Sequence, residues 1–292
     1  MNEKRKFIVT ILMLPSITFV FICSIYFYFW LQQKANSDVY QAIEASRKKT
    51  QYKIVLLGDS VSRQLFNIEN QKESKYWHLN SNQAIGVLGN YLLLENYLEK
   101  NLKVEQVYYI MRPHSFGNNL NQIWTYGYFV LPFLNEEKNL KYLKELAERK
   151  EWRENKIFLN PSIIKVLEKN PNFILKVLKV DLSDGNFKES LKKVYLSEIS
   201  IKYLQKIQEM CIKRNIEFKV LASPMSDEYL NMDLSFLNQQ IKENKLENIF
   251  SNYFNSLKFY PKESFSDGVH FKREIIERES KKIQKELEKN IN

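Results

Sequence analysis

The sequence predicts an α/β fold in which helices cover a parallel β-sheet, preceded by a single membrane-spanning helix. After position 51, short apolar runs alternate with helical patterns, and this alternation is typical of a parallel sheet with helices on its faces. Before it, residues 7–31 contain no acidic or basic side chain, and about twenty apolar residues suffice to cross a bilayer. The remaining chain is long and apolar enough to bury a large core as one domain.

The apolar stretch at 7–31 is predicted to be an uncleaved transmembrane anchor. Basic residues at positions 4–6 favour a cytoplasmic location for residues 1–6, and aromatic residues crowd the far end of the stretch. A cleaved signal peptide is the competing interpretation, but the stretch is longer than a signal core and no good cleavage site follows it. We therefore expect a single-pass protein of the cell membrane, with residues 32–51 as a polar tether and 52–292 as an extracytoplasmic domain.

Strands and helices are predicted from the apolar periodicity in chain order. The predicted strands lie at 52–57, 76–79, 104–111, 218–222 and at or near 249–254. The predicted helices lie at 61–68, 87–98, 201–213 and 272–289. Residues 115–200 do not repeat the β–α unit, and charged helical patterns at 136–150, 162–169 and 173–180 predict a helical insertion over the carboxyl edge of the sheet.

Composition argues against several classes of function. The formal net charge is +10, from 44 basic and 34 acidic residues, but the basic residues are spread over Lys-Glu-rich helix faces. A solvated lysine-rich surface is the favoured interpretation, attraction to anionic lipids or wall polymers is the alternative, and no nucleic-acid partner is expected. Cys23 and Cys211 are too differently placed to form a disulfide. The three histidines are too scattered for a metal site, so neither metal nor cofactor is expected.

The first motif with chemical content is Gly58-Asp59-Ser60, which closes the first apolar run. Gly58 permits a tight strand-to-helix turn, Asp59 can cap the helix, and Ser60 begins it. The turn after a buried parallel strand is where an α/β fold exposes such a hydroxyl, and a helix start offers N–H groups to an oxyanion. The alternative is that Asp59 and Ser60 serve only as a helix cap.

The second motif is Asp267-Gly268-Val269-His270, just before the last predicted helix. A serine hydroxyl needs an adjacent base to take its proton, and that base needs a group to hold its tautomer. Asp267 and His270 stand three residues apart, so that one loop can supply both side chains. His270 is therefore the predicted base for Ser60, with Asp267 orienting its ring; the alternative is a structural histidine at a helix start.

Together these motifs resemble the first and last blocks of the SGNH (GDSL-type) hydrolases, whose serine and Asp-x-x-His stand in this order. The resemblance covers residues from about 52 to 289, with the helical insertion outside it. It implies a flavodoxin-like three-layer α/β/α sandwich with esterase or acyltransferase activity. It also implies that Ser60 is the nucleophile, His270 the base and Asp267 its partner, and that the Ser60 amide is one oxyanion donor.

The region after the second predicted strand departs from the family pattern. The family supplies an oxyanion donor there from a glycine amide, whereas this chain reads His-Leu-Asn-Ser-Asn-Gln-Ala-Ile-Gly over positions 78–86. The resemblance implies that the donor would come from Asn82, Ala84 or Gly86.

The region after the third predicted strand departs as well. The family places an asparagine there, whereas His114 stands at that position in this chain, followed by Asn118 and Asn119. We expect His114 or one of these asparagines to contribute to the oxyanion site. The alternative is that His114 and Arg112 only tie the insertion to the sheet.

The order of anchor, tether, serine motif, inserted helices and Asp-x-x-His is similar to that of membrane-anchored SGNH-like proteins in surface-polysaccharide O-acylation. These include alginate-type O-acetylation proteins and the D-alanyl transfer protein of teichoic acid systems. The similarity implies acyl hydrolysis or transfer, with acetyl favoured, on a cell-surface glycan or acyl-carrying substrate, and a membrane-bound acyl-transfer partner. The alternatives are a membrane-surface lipid esterase or thioesterase, and a non-catalytic adaptor of the same fold that binds acylated polymer or a membrane partner.

Overall fold

The computed structural model describes residues 17–25, 38–66, 74–121, 125–148, 152, 159–167 and 194–289. Its main sheet has four parallel strands in the order β2-β1-β3-β4: β1 (Ile54–Gly58), β2 (Tyr76–His78), β3 (Gln106–Ile110) and β4 (Glu217–Leu221). A separate parallel pair is formed by β5 (Met225–Ser226) and β6 (Phe259–Tyr260). The α/β class and the parallel sheet expected from the sequence are confirmed.

The described helices after position 37 are of three kinds. The α-helices are α1 (Asp38–Ser46), α2 (Ser60–Leu65), α3 (Gly86–Leu98), α4 (Leu131–Leu134), α5 (Lys141–Ala147), α6 (Pro161–Leu167), α7 (Glu198–Lys213), α8 (Ser235–Glu243), α9 (Tyr253–Ser256) and α10 (Arg273–Glu288). Short 3₁₀ helices span Gln83–Ile85, Pro113–Gly117, Glu137–Asn139, Asp227–Tyr229 and Lys262–Ser264, and a π-helix spans Tyr126–Val130.

Side chains of the sheet alternate between two apolar clusters, as the pleat of a strand requires. In β1, Val55 and Leu57 join the larger cluster with residues of α1, α3 and α7, whereas Leu56 joins the smaller one with residues of α2 and α10. Helices therefore pack on both faces of the sheet. This arrangement places the carboxyl ends of β1, β2 and β3 side by side at one edge.

The fifth strand predicted at 249–254 is wrong. The segment forms turns that lead into α9. It contacts the sheet edge through a backbone hydrogen bond from the Val220 N–H to the Ile249 carbonyl, at 2.7 Å. Ile249, Phe250 and Tyr253 are all buried in the same cluster. A strand would point neighbours such as 249 and 250 to opposite faces, so one-sided burial at this spacing favours a helical turn.

The insertion predicted at 115–200 contains several helices where it is described, and its buried side chains join the core. The expected helix at 136–150 is divided into the Glu137–Asn139 turn and α5, and the helix at 162–169 corresponds to α6. The helix expected at 173–180 lies outside the described residues. Buried side chains of this region pack in the larger apolar cluster: Phe129, Phe133, Leu146, Trp152 and Ile164.

The prediction of a polar tether at 32–51 is wrong for residues 38–46. Residues Asp38–Ser46 form α1, and its Val39, Ala42 and Ile43 are buried against the domain. Their spacing of three and four residues puts them on one helix face, which explains the docking. The Trp77 indole N–H donates to the Ala45 carbonyl at 3.3 Å, and this bond holds the end of α1 beside β2.

The predicted anchor at 7–31 falls mostly outside the described residues, as do residues 1–6. Positions 17–25 are described; they form a helix whose large side chains are exposed. Within the described ranges, none of the helices has both the length and the apolar character that a bilayer crossing requires.

Docking of α1 makes a testable difference to stability. Ile43→Ala removes a side chain that is 3% exposed, and we expect it to lower the free energy of unfolding by roughly 2–5 kcal/mol. Glu44→Ala, on the exposed side of the same helix, should change it by less than about 0.5 kcal/mol. Urea unfolding measures the free energy of unfolding of both variants. Equal effects of the two substitutions would mean that this segment does not pack on the domain and is a tether.

Candidate active site

The turn between β1 and α2 presents Ser60 at the carboxyl edge of the sheet. Asp59 is the N-cap of α2, and its Oδ1 accepts hydrogen bonds from the Val61 and Ser62 amides, both at 3.1 Å. These bonds take up two of the amides that a helix start leaves unpaired. The Ser60 amide precedes them as the first N–H of the helix.

Gly58 is required by close packing at this turn rather than by an unusual backbone angle. A Cβ added at Gly58 would stand 2.5 Å from the Ser62 Cβ and 2.7 Å from the Ile110 carbonyl oxygen. Both neighbours belong to packed backbone elements, so a larger residue would push the serine turn away from β3.

The second oxygen of Asp59 fastens the serine turn to the loop after β3. Its Oδ2 accepts the Arg112 amide at 3.1 Å and lies 3.8 Å from the Arg112 Nε, and both side chains are buried. A buried carboxylate needs such partners because the loss of water is otherwise costly. The carboxylate therefore holds the ends of two neighbouring strands in register.

Tyr253 also stabilises the loop after β3. The Tyr253 hydroxyl donates to the Met111 carbonyl at 3.0 Å. Burial and the neighbouring Asp59 carboxylate raise the pKa of Tyr253 well above its usual value, although Arg112 opposes them. The phenol therefore remains protonated and keeps its role as a donor.

The loop before α10 carries the histidine. It is closed by an isolated antiparallel bridge between Phe265 and Phe271, whose rings stack with centroids 4.5 Å apart. Gly268 adopts a positive φ of 75°, which an L-residue rarely tolerates, and this turn lets the Asp267 Oδ1 accept the His270 amide at 2.7 Å. The carboxylate and the imidazole thus come from one closed loop, as the three-residue spacing predicts.

The structure brings Ser60, His270 and Asp267 together in one hydrogen-bonded chain. The His270 Nε2 lies 2.7 Å from the Ser60 Oγ, and the His270 Nδ1 lies 2.8 Å from the Asp267 Oδ2. An ionised carboxylate only accepts hydrogen bonds, so Nδ1 carries the ring proton and Nε2 of the neutral ring accepts from the serine hydroxyl. This is the arrangement that a general base requires.

Hydrogen bonds keep Asp267 ionised. Partial burial works to raise the pKa of the Asp267 carboxyl, but bonds from the His270 amide, the His270 ring and the Val269 amide outweigh it and hold the pKa below its usual value. Because the folded-state pKa is the lower one, the carboxylate stabilises the loop above its unfolded pKa, and this stabilisation is lost as pH falls through the folded pKa.

Gln64 joins the loop that carries His270 to α2, the helix that begins at Ser60. Its Oε1 accepts the Phe271 amide at 3.1 Å, and its Nε2 donates to the Phe271 carbonyl at 3.3 Å. The side chain thus binds both backbone groups of the residue that follows His270. Sequence reasoning did not find Gln64 because its partner lies 207 residues away.

The expected oxyanion donors after β2 already make hydrogen bonds within their own turn. The Asn82 Oδ1 accepts the Ala84 amide at 2.9 Å, so Asn82 caps the 3₁₀ helix Gln83–Ile85. The Gly86 amide donates to the Gln83 carbonyl, and Gly86 has a φ of 58°. These bonds define a rigid turn beside the end of β1.

The expected donors after β3 lie at the same edge with different partners. One N–H of the buried Asn118 amide donates to the Gln83 carbonyl at 2.8 Å, and its Oδ1 accepts the Leu120 amide at 2.8 Å. Asn118 therefore links the two loops. Asn119 directly follows Asn118 in the same loop.

His114 is half-buried on the 3₁₀ helix Pro113–Gly117. Its ring contacts the Tyr229 ring, with centroids 5.3 Å apart and planes tilted by 59°. His114 thus stands after β3 as expected, with an aromatic neighbour that the sequence did not indicate.

The described residues contain no group of three or more His, Cys, Asp and Glu side chains that could hold a metal ion. Cys211 is buried, and desolvation raises the pKa of its thiol to about 12, so it remains a neutral core residue.

Loss of the Gln64 clamp should loosen the histidine loop without unfolding the domain. In Gln64→Ala we expect the Phe271 amide to exchange with deuterium about fivefold faster, since a lost hydrogen bond is worth about 1 kcal/mol. Gln239→Ala, which removes an exposed glutamine of α8, should leave that rate unchanged. Unaltered exchange at Phe271 in Gln64→Ala would contradict the clamp.

Comparison with family models, with curated proteins and with solved structures finds no match to this chain.

Proposed function

We propose that this protein is a serine-dependent acyl-ester hydrolase or O-acyltransferase of the SGNH type, with the flavodoxin-like three-layer fold of that family. Its proposed substrate is an acylated, most simply acetylated, polysaccharide of the cell surface. The observation that carries the proposal is the continuous chain from the Ser60 hydroxyl through His270 to Asp267, with contacts of 2.7 and 2.8 Å. The fold supports it, because the serine lies after a central parallel strand.

The first half of the reaction forms an acyl-serine. The Ser60 Oγ attacks the ester carbonyl carbon while its proton passes to the His270 Nε2, and the carbonyl oxygen becomes an oxyanion. Collapse of this intermediate breaks the ester C–O bond, and the leaving alcohol takes the proton from His270. Asp267 stabilises the imidazolium during the step, since its carboxylate faces the His270 Nδ1.

The second half resolves the acyl-serine by the same groups in reverse. Water or a sugar hydroxyl gives its proton to His270 and attacks the acyl carbon, and the proton then returns to the Ser60 Oγ. Water gives hydrolysis, and a sugar hydroxyl gives O-acyl transfer. Both outcomes need the acceptor on the side of His270, whose ring remains about one-third exposed.

The proposed setting is the outer face of the cell membrane, with a glycan or acyl-carrying substrate and a membrane-bound acyl-transfer protein as partners. The apolar stretch at 7–31 supports it as an anchor. Because α1 begins at Asp38 and docks on the domain, the linker between anchor and domain is at most six residues, 32–37. A short linker keeps the site near the membrane surface, where a lipid-side acyl donor would be presented.

A non-catalytic adaptor of the same fold is the rival that the geometry disfavours. Such a protein has no need of a serine within hydrogen-bond distance of a histidine base, and the 2.7 Å contact is the distance that proton transfer requires. Asp267 adds a second reason, because the three hydrogen bonds that orient it serve to position His270.

Removing the nucleophile should abolish ester turnover. In full-length protein in detergent, we expect Ser60→Ala to eliminate hydrolysis of 4-nitrophenyl acetate and release of acetate from acetylated polysaccharide, since no acyl-enzyme can form. Ser251→Ala, which replaces an exposed serine bonded to Lys219, should keep wild-type rates. Turnover retained by Ser60→Ala would refute the assignment.

His114 is expected to contribute to the oxyanion site. His114→Ala should lower kcat about a hundredfold if the ring donates to the oxyanion. Tyr229→Phe retains the ring that contacts His114, and it should leave kcat close to the wild-type value. An effect of His114→Ala below twofold would assign the residue to loop packing.

A further inference from the structure

We propose that the side-chain amide of Gln83 donates a hydrogen bond from its Nε2 to the carbonyl oxygen of the ester bound at Ser60, and so acts as an oxyanion donor. The inference rests on the proposed function, because it names a new residue in that site. It takes the place of the Ala84 and Gly86 amides among the donors expected after β2, because both N–H groups are already bonded within the turn.

The orientation of the Gln83 amide follows from its partners. The Arg112 Nη2 donates to the Gln83 Oε1 at 2.7 Å, and the Ser115 hydroxyl donates to the same oxygen at 3.2 Å. A guanidinium only donates hydrogen bonds, so the atom that faces Arg112 is the amide oxygen. The two Nε2 hydrogens must therefore point away from Arg112.

The position of Gln83 follows from the order of the strands. Gln83 belongs to the loop after β2, whereas Arg112 and Ser115 belong to the loop after β3, and β1 lies between these strands. Neighbouring strands are about 4.8 Å apart, so the contact between Gln83 and the loop after β3 joins residues that follow the two neighbours of β1. The carboxyl end of β1 leads into the serine turn. The Ser81 amide donates to the Gly58 carbonyl at 3.1 Å and so ties the loop after β2 to this turn.

The Nε2 group is available to a ligand. The Gln83 side chain is half-buried, and its Nε2 has no hydrogen-bond acceptor among the described residues. Because this nitrogen is not fully buried, solvent reaches it. Its oxygen, by contrast, accepts two bonds, and one of them comes from a permanent cation.

Arg112 also makes this amide a better donor. A cation at the amide oxygen draws electron density from the nitrogen, and hydrogen bonds in such a chain strengthen one another. The guanidinium is held in turn by the buried Asp59 carboxylate. Asp59, which precedes Ser60, is therefore linked through Arg112 to Gln83, the proposed donor.

The test exchanges the Nε2 group for oxygen while it keeps the acceptor that Arg112 needs. Gln83→Glu should lower kcat for 4-nitrophenyl acetate about a hundredfold, with KM within about threefold and an unchanged melting temperature. The matched control is Gln239→Glu on the exposed face of α8, which should keep wild-type kinetics. A folded variant that keeps kcat within twofold of wild type overturns the proposal.

A second measurement separates this inference from the proposed function. In ¹⁵N-labelled protein, the Nε2 signals of Gln83, assigned by their loss in Gln83→Glu, should move on titration with acetate, whose oxygen mimics the ester carbonyl. If wild-type protein hydrolyses no ester, the proposed function fails, and the acetate titration still decides the role of Gln83. Movement of the signals supports the donor, and unmoved signals overturn it.

Discussion

The arrangement of the site depends on the carboxylate of Asp59, which is buried between two strand ends. One oxygen caps α2 behind the serine, and the other holds the Arg112 amide and faces its guanidinium. Losing a helix cap costs about 1 kcal/mol, whereas stranding one member of a buried ion pair costs roughly 3–5 kcal/mol. The link to Arg112 is therefore the stronger constraint, and it sets the distance between the nucleophile turn and the loop that carries His114.

The histidine side of the site is built differently. Asp267 and His270 belong to a partly exposed loop, and their side chains are 55% and 34% exposed. What places this loop is the Phe265–Phe271 bridge and the Gln64 clamp to α2. The buried serine turn thus faces a histidine on a more accessible loop. Under the proposed function, this arrangement leaves room for an acceptor hydroxyl beside His270.

The sequence predicts those parts of the fold and of the site that depend on residues close together in the chain. Apolar runs located the four strands of the main sheet, and the spacing of Asp267 and His270 indicated one loop. Prediction failed where tertiary contacts decide. The α1 segment is mostly polar in sequence, although Val39, Ala42 and Ile43 are spaced to form one apolar helix face. The apolar residues of 249–254 fit either a strand or a helical turn. Gln64 and Gln83 carry no motif, because their partners come from other parts of the chain.

The central claim is that Ser60 and His270 form a working nucleophile and base, and the most direct measurement is covalent labelling. Full-length protein in detergent is treated with a fluorophosphonate that reacts only with activated serines, and the modified peptide is identified by mass spectrometry. The account predicts an adduct on Ser60 that disappears in His270→Ala. Folded wild-type protein that carries no adduct on Ser60, or one that persists without His270, would contradict it.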